Sequence, residues 1–172
     1  MITVEFLILR LVHVVCGVFW IGSGLYSTWF LVPAPTAAGP AIAGPVFGQL
    51  QKRHLFTVMP AVAVLTILSG LRLMMIVSAN FSSAYFTTSS GLAFAVAGAA
   101  AVFAFLLTMF VSRPANIRAG KLSALLASAA ESERAGLAHQ RAAAQKRGTI
   151  STNIAMVLLL ISAAGMALAR YL

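Results

Sequence analysis

Four stretches of this chain are apolar enough and long enough to cross a lipid bilayer. They run from about Val4 to Val32, Leu55 to Ser78, Gly91 to Val111 and Ile150 to Leu168. A bilayer core is crossed by about 20 apolar residues in helical form. Lipid offers no partner to a free backbone N–H or C=O, so a spanning segment must satisfy its backbone internally and becomes a helix. The whole chain has 172 residues, 60% of them hydrophobic and 9% charged. A soluble domain carries about 25% charged residues, because its surface has to be solvated. Composition therefore excludes a soluble enzyme, a disordered tail and a disulfide scaffold. The expected fold is all-α, a polytopic membrane four-helix bundle forming a single transmembrane domain over residues 1–172.

Charge sets the expected orientation. Twelve Lys and Arg face three Asp and Glu, for a net charge of +9. The basic residues sit at the edges of the apolar stretches, where membrane topology explains them, so nucleic acid is not an expected partner. The first connection, Pro33 to Arg53, carries Lys52 and Arg53, and the second, Ala79 to Ser90, is uncharged. The third, residues 112–149, carries Arg113, Arg118, Lys121, Arg134, Arg141, Lys146 and Arg147. The excess of Lys and Arg on cytoplasmic loops places the first and third connections inside and both termini outside. The first connection, rich in Pro, Gly and Ala, reads as irregular. In the third, Leu122, Leu125, Leu126, Ala129 and Ala130 recur at helical spacing between basic residues. That pattern predicts one or two amphipathic helices on the cytoplasmic surface, drawn to anionic lipid or docking a partner protein.

Several function classes are excluded by what the chain contains. Its one cysteine, Cys16, lies inside an apolar run and has no internal disulfide partner. The start, MITVEFLILR, lacks the basic head of a secretory signal and is expected to remain as part of the first span. Hydrolytic and nucleotide chemistry have no carboxylate pair, Cys pair or Gly-rich phosphate loop to work with. In the third span, Ala95, Ala97, Gly98, Ala99, Ala100 and Ala101 predict a close-packing face.

Ionisable groups in a membrane are costly and turn toward a bundle interior, a cavity or a partner. Arg10 and His13 are three apart and share a helix face that continues through Gly17, Trp20 or Ile21, and Gly24. Glycines beside a histidine leave room for a flat ligand or for a close helix. Arg72 and Arg170 end the second and fourth spans at an outer depth similar to that of Arg10. That grouping suits a b-type haem near the outer face, with a neutral His13 on the iron and guanidinium groups on the propionates. His13 could equally be a buried histidine bonded to a helix carbonyl or hydroxyl, and the terminal arginines could reach to headgroups. His54 and His139 fall far from His13 in depth, which leaves Met74, Met75 and Met166 as candidate second ligands. The same thioethers with His13 make copper an alternative cofactor.

The first half also carries a pattern. It reads Arg10-x-x-His13, then Trp20-Ile-Gly22-Ser-Gly24-Leu-Tyr26, then Arg53, Pro60 and Leu65-Thr66-Ile-Leu-Ser-Gly70. Over about residues 6–75 this resembles the bacterial membrane protoporphyrinogen oxidase family and the wider copper-resistance-D-like group. The resemblance implies a four-helix core in a bacterial-type inner membrane holding haem b at His13, with Trp20 and Tyr26 in the cofactor-binding set. The third span lacks the Lys and His that the oxidase family has there, and Arg10 replaces its usual Lys, so porphyrinogen oxidation does not carry over. The expected function is a haem-bearing electron-transfer protein or subunit. The alternative is a cofactor-free accessory subunit, with other membrane subunits or further copies of the chain as partners.

Overall fold

A computed structural model describes residues 3–172, the Pro40 side chain excepted. Every regular element among the described residues is helical. In chain order they are α1 (Val4–Tyr26), α2 (Pro33–Ala37), α3 (Pro40–Lys52), α4 (Leu55–Val77), α5 (Ser83–Phe86), α6 (Ser89–Leu107), α7 (Arg113–Ser128) and α8 (Glu131–Leu168). Four continuous helical runs are long and apolar enough to cross a membrane: Val4–Ala37, Leu55–Val77, Ser89–Ser128 and Glu131–Tyr171. The chain is therefore all-α with four candidate spans.

Prolines explain two local departures from α-helix. Residues Ser27–Leu31 and Thr108–Ser112 form π turns, closed by Val32 N–H on Ser27 O and by Arg113 N–H on Thr108 O. Each turn lies just before a proline, Pro33 or Pro114. A proline lacks the N–H and its ring crowds the carbonyl four residues back. Widening the preceding turn keeps the chain helical past the obstacle.

Two connections differ from expectation. The first is not irregular, since Pro33–Ala37 and Pro40–Lys52 are helices. Pro40 opens its helix, where a fixed φ is pre-organised and no N–H is missed. Gly39, at φ 97°, separates α2 from α3, and left-handed His54, at φ 57°, separates α3 from α4. The third connection is helical, as expected, but its helices are continuous with the apolar stretches rather than separate from them. α7 follows α6 through the second π turn with no non-helical residue, and α8 runs unbroken from Glu131 into the fourth apolar stretch. Alanine and long-chain polar residues, strong helix formers, fill this connection. Only Ala129 and Ala130 interrupt it.

The chain divides into two compact units, Met1–Ala101 with Leu159–Leu172, and Val102–Leu158. In the first, α1 packs antiparallel on α4. Thr3 caps α1 by accepting the Phe6 N–H at 3.2 Å, and Glu5 adds a favourable negative charge to the first turn. Ala97 of α6 meets Gly165 of α8, where an added Cβ would lie 3.0 Å from the alanine's own. That close approach is the expected use of the small-residue run, although Ala97 and Ala101 are buried and Ala99 is exposed. After α4 the chain makes a left-handed turn through Ala79, Asn80 and Phe81. Such a run is disfavoured for residues with a Cβ. It is held by Asn80 N–H on Met75 O and Phe81 N–H on buried Ser78 Oγ.

In the second unit, α7 and the first half of α8 form a helical hairpin. Ser112 Oγ donates to Ser151 Oγ at 2.8 Å, and Ser151 Oγ turns its own hydroxyl on Arg147 O and Gly148 O. Asn116 lies across Gly148, and Leu122 and Ala144 are buried further along.

Candidate functional site

His13 is docked against the middle of α4. Its Nδ1 lies 2.8 Å from the Thr66 carbonyl and 3.4 Å from Ser69 Oγ. Thr66 is the central residue of Leu55–Val77, so the imidazole meets the second span at mid-length. From the start of α1, His13 is nine residues along, or about 13.5 Å at 1.5 Å per residue. The ring therefore lies near mid-length of both α1 and α4.

The neighbours explain how the ring fits. A Cβ on Gly70 would lie 2.6 Å from His13 Cε1 and 2.9 Å from Nδ1. The ring thus occupies the space that any other side chain at position 70 would need. Thr66 Oγ1 turns back on Val62 O at 2.9 Å, and Ser69 Oγ on Leu65 O at 2.6 Å. These bonds satisfy the two buried hydroxyls within α4, and Ser69 Oγ also lies 3.1 Å from the Thr66 carbonyl that the imidazole meets. Gly17, one turn below His13, admits Thr66 Cγ2 at ordinary contact, 3.6 Å from an added Cβ. Gly17 and Gly70 together bring the two backbones close enough for the imidazole to reach a main-chain carbonyl.

That bond assigns the tautomer. A carbonyl oxygen only accepts, so Nδ1 carries the hydrogen. In a neutral ring Nε2 then holds the free lone pair. Histidines that ligate metals commonly have this arrangement, one nitrogen donating to a carbonyl and the other left to the metal. It is equally a complete way to satisfy a structural histidine.

The other sequence candidates are not all brought to His13. Arg72 is engaged elsewhere: its Nη2 lies 2.7 Å and its Nε 2.8 Å from Glu5 Oε1, and Nη1 reaches Met75 Sδ at 3.7 Å. Met74 and Met75, both half-buried, are four and five residues past Gly70, about 6 and 7.5 Å along the helix axis from the level of the ring. Met166 is half-buried on α8 beside Gly165. Arg170 lies over the Tyr171 ring at 4.9 Å. Arg10 is exposed on α1, Trp20 is buried, and Tyr26 is exposed and stacked on Phe30 at 6.1 Å. His54 is exposed at the α3–α4 junction, and His139 is exposed on α8. No cluster of three or more His, Cys, Asp and Glu side chains occurs among the described residues.

Glu5, Thr66 and Ser69 are the contacts that sequence reasoning did not assign a role. Glu5 was visible as the only carboxylate near any span, which is a signal for an intramembrane partner of an arginine. No family model, curated protein or solved structure matches this chain.

Proposed function

We propose that the chain is a multi-pass protein of a bacterial-type cytoplasmic membrane that holds a b-type haem through His13 Nε2, for electron transfer or as a haem-bearing subunit. The 2.8 Å contact from His13 Nδ1 to Thr66 O carries this reading, because it leaves Nε2 as the lone-pair nitrogen at mid-span. Arg10, exposed one turn nearer the N-terminus, is free to pair with a propionate. The likeness of residues 6–75 to the membrane porphyrinogen-oxidase group supports haem over other cofactors. Haem would supply the one-electron chemistry, and the protein ligation, burial and charge. Lys52 and Arg53, with the basic third connection, favour both termini outside and those connections in the cytoplasm. The test is an absorption spectrum of the detergent-purified protein, oxidised and then dithionite-reduced, with a pyridine haemochrome assay. A Soret band with sharp reduced α and β bands near one haem per chain, lost in His13→Ala, is the expected result. A colourless protein from haem-replete cells, or full haem content in His13→Ala, overturns it.

A second reading is a cofactor-free accessory subunit. Its support is that Arg72 is already engaged by Glu5 and that α1 fully buries only Trp20, which leaves its apolar surface to lipid, another subunit or a second copy. A protein that runs alone and monomeric in mild extracts of its native host argues against it.

A further inference from the structure

The cations of the helical hairpin fall at one level. Ser112 and Ser151 are bonded to each other where the two apolar runs of this unit end. Measured from that pair at 1.5 Å per residue, Arg113, Arg147, Lys146 and Arg118 lie about 1.5, 6, 7.5 and 9 Å beyond it. Screening acts over about 8 Å at physiological salt, so all four lie within roughly one screening length of the edge of the apolar runs. All four are exposed. Neither ion pair among the described residues involves them, those pairs being Arg72–Glu5 and Arg134–Glu131. Further out, at the hairpin tip, Glu131 and Glu133 make the charge mixed.

Their distribution points to the occupant. Arg113 and Arg118 are on α7, and Lys146 and Arg147 are on α8, consecutive and so about 100° apart around its axis. Arg113 and Arg118, five residues apart, are about 140° apart around the α7 axis, so on neither helix do the charges share one face. A protein partner covers one face, whereas a bilayer surface surrounds the hairpin on every side. At the same level Ile117 and Ile150 are half-exposed, apolar groups suited to the boundary between headgroups and acyl chains. We infer that Arg113, Arg118, Lys146 and Arg147 form a collar that binds the phosphate groups of anionic phospholipids around the base of the hairpin.

The test uses the full chain in nanodiscs. Both bilayer faces are accessible there, so a change of insertion orientation cannot mimic lost binding. Spin-labelled phosphatidylglycerol and phosphatidylcholine report the relative association of each lipid with the protein. The anionic label is expected to be preferred about fivefold at low salt, the factor that roughly one cation near the surface supplies. The preference should vanish at 1 M salt and in Arg113→Gln/Arg118→Gln/Lys146→Gln/Arg147→Gln, and persist in Lys121→Gln/Arg141→Gln. No preference in the wild-type protein at low salt overturns the collar and leaves the band to an acidic protein. A preference that survives 1 M salt overturns it as well, and that measurement needs no variant to fold. So does one that survives the quadruple substitution.

Discussion

Two places in this molecule lay a polar side chain across a helix glycine. In the α1–α4 pair the imidazole of His13 covers Gly70, and in the α7–α8 hairpin the amide of Asn116 covers Gly148. Both pairs are antiparallel, and both bury serines that bond to carbonyls one turn back. The difference lies in how the covering group is held. His13 is half-buried and fixed through Nδ1 to the Thr66 carbonyl. Asn116 is exposed, and its carboxamide end can turn into water. Equivalent glycines therefore do different work, one seating a rigid ring and the other tolerating a mobile tip.

The largest expected effect follows at Gly70. Gly70→Ala places a methyl 2.6 Å from His13 Cε1 and 2.9 Å from Nδ1, so the ring must shift away from its bond to Thr66 O. Forced overpacking of this kind costs about 1–3 kcal/mol. Thermal unfolding in detergent should show the loss, and His13→Ala/Gly70→Ala should recover most of it. Under the proposed function Gly70→Ala also lowers haem content, which the double variant does not restore. Full stability with unchanged spectra in Gly70→Ala would show that the ring is not seated there.

Next come the hairpin serines, where the two partners should differ. Ser112→Ala leaves Ser151 bonded to Arg147 O and Gly148 O. Ser151→Ala instead deprives the buried Ser112 hydroxyl of its acceptor. An unsatisfied buried donor costs about 1–3 kcal/mol, reduced here if Ser112 finds a carbonyl in its own helix. Ser151→Ala is expected to be the less stable variant by about 1 kcal/mol in chemical unfolding. Equal losses would mean that the two hydroxyls are independent.

Gly148→Ala breaks the comparison in the opposite direction. The new methyl meets the carboxamide of exposed Asn116 and lies at ordinary contact, 3.6 Å, from Ala115 Cβ, and alanine improves a helix interior over glycine by about 1 kcal/mol. The variant is expected to be as stable as the parent or up to that amount more stable. Destabilisation like that of Gly70→Ala would show that Asn116 is held as firmly as His13.

The sequence made one of these two regions easier to read than the other. The spans, the shared face of Arg10, His13 and Gly17, and the small-residue packing of Ala97 follow from local periodicity and from the cost of polar groups in lipid. The partner of His13 does not, because Thr66 and Gly70 are chosen by the register between two helices more than fifty residues apart. Nor does the partner of Arg72, because Glu5 lies 67 positions away. The continuity of α6 with α7 was masked by the basic residues after Val111, which mark where the apolar run ends but do not end a helix. At Pro33 and Pro114 a π turn carries the helix past the proline.

Glu5 gives the smallest expected effect and the finest test of how the α1–α4 pair is held. Both side chains of the Glu5–Arg72 pair are about half exposed. An exposed ion pair is worth about 0–1 kcal/mol. Glu5→Gln keeps a carbonyl oxygen that can still accept from the guanidinium, so only the charge is removed. The change in unfolding midpoint should be slight and should shrink further with added salt. The variant releases Arg72 from its counter-charge without touching His13. If Arg10 serves a haem propionate, as proposed, and Arg72 only the ion pair, Glu5→Gln leaves haem content intact. If haem content falls instead, Glu5 fixes the end of α1 on α4, and the register that seats His13 on Gly70 depends on this pair.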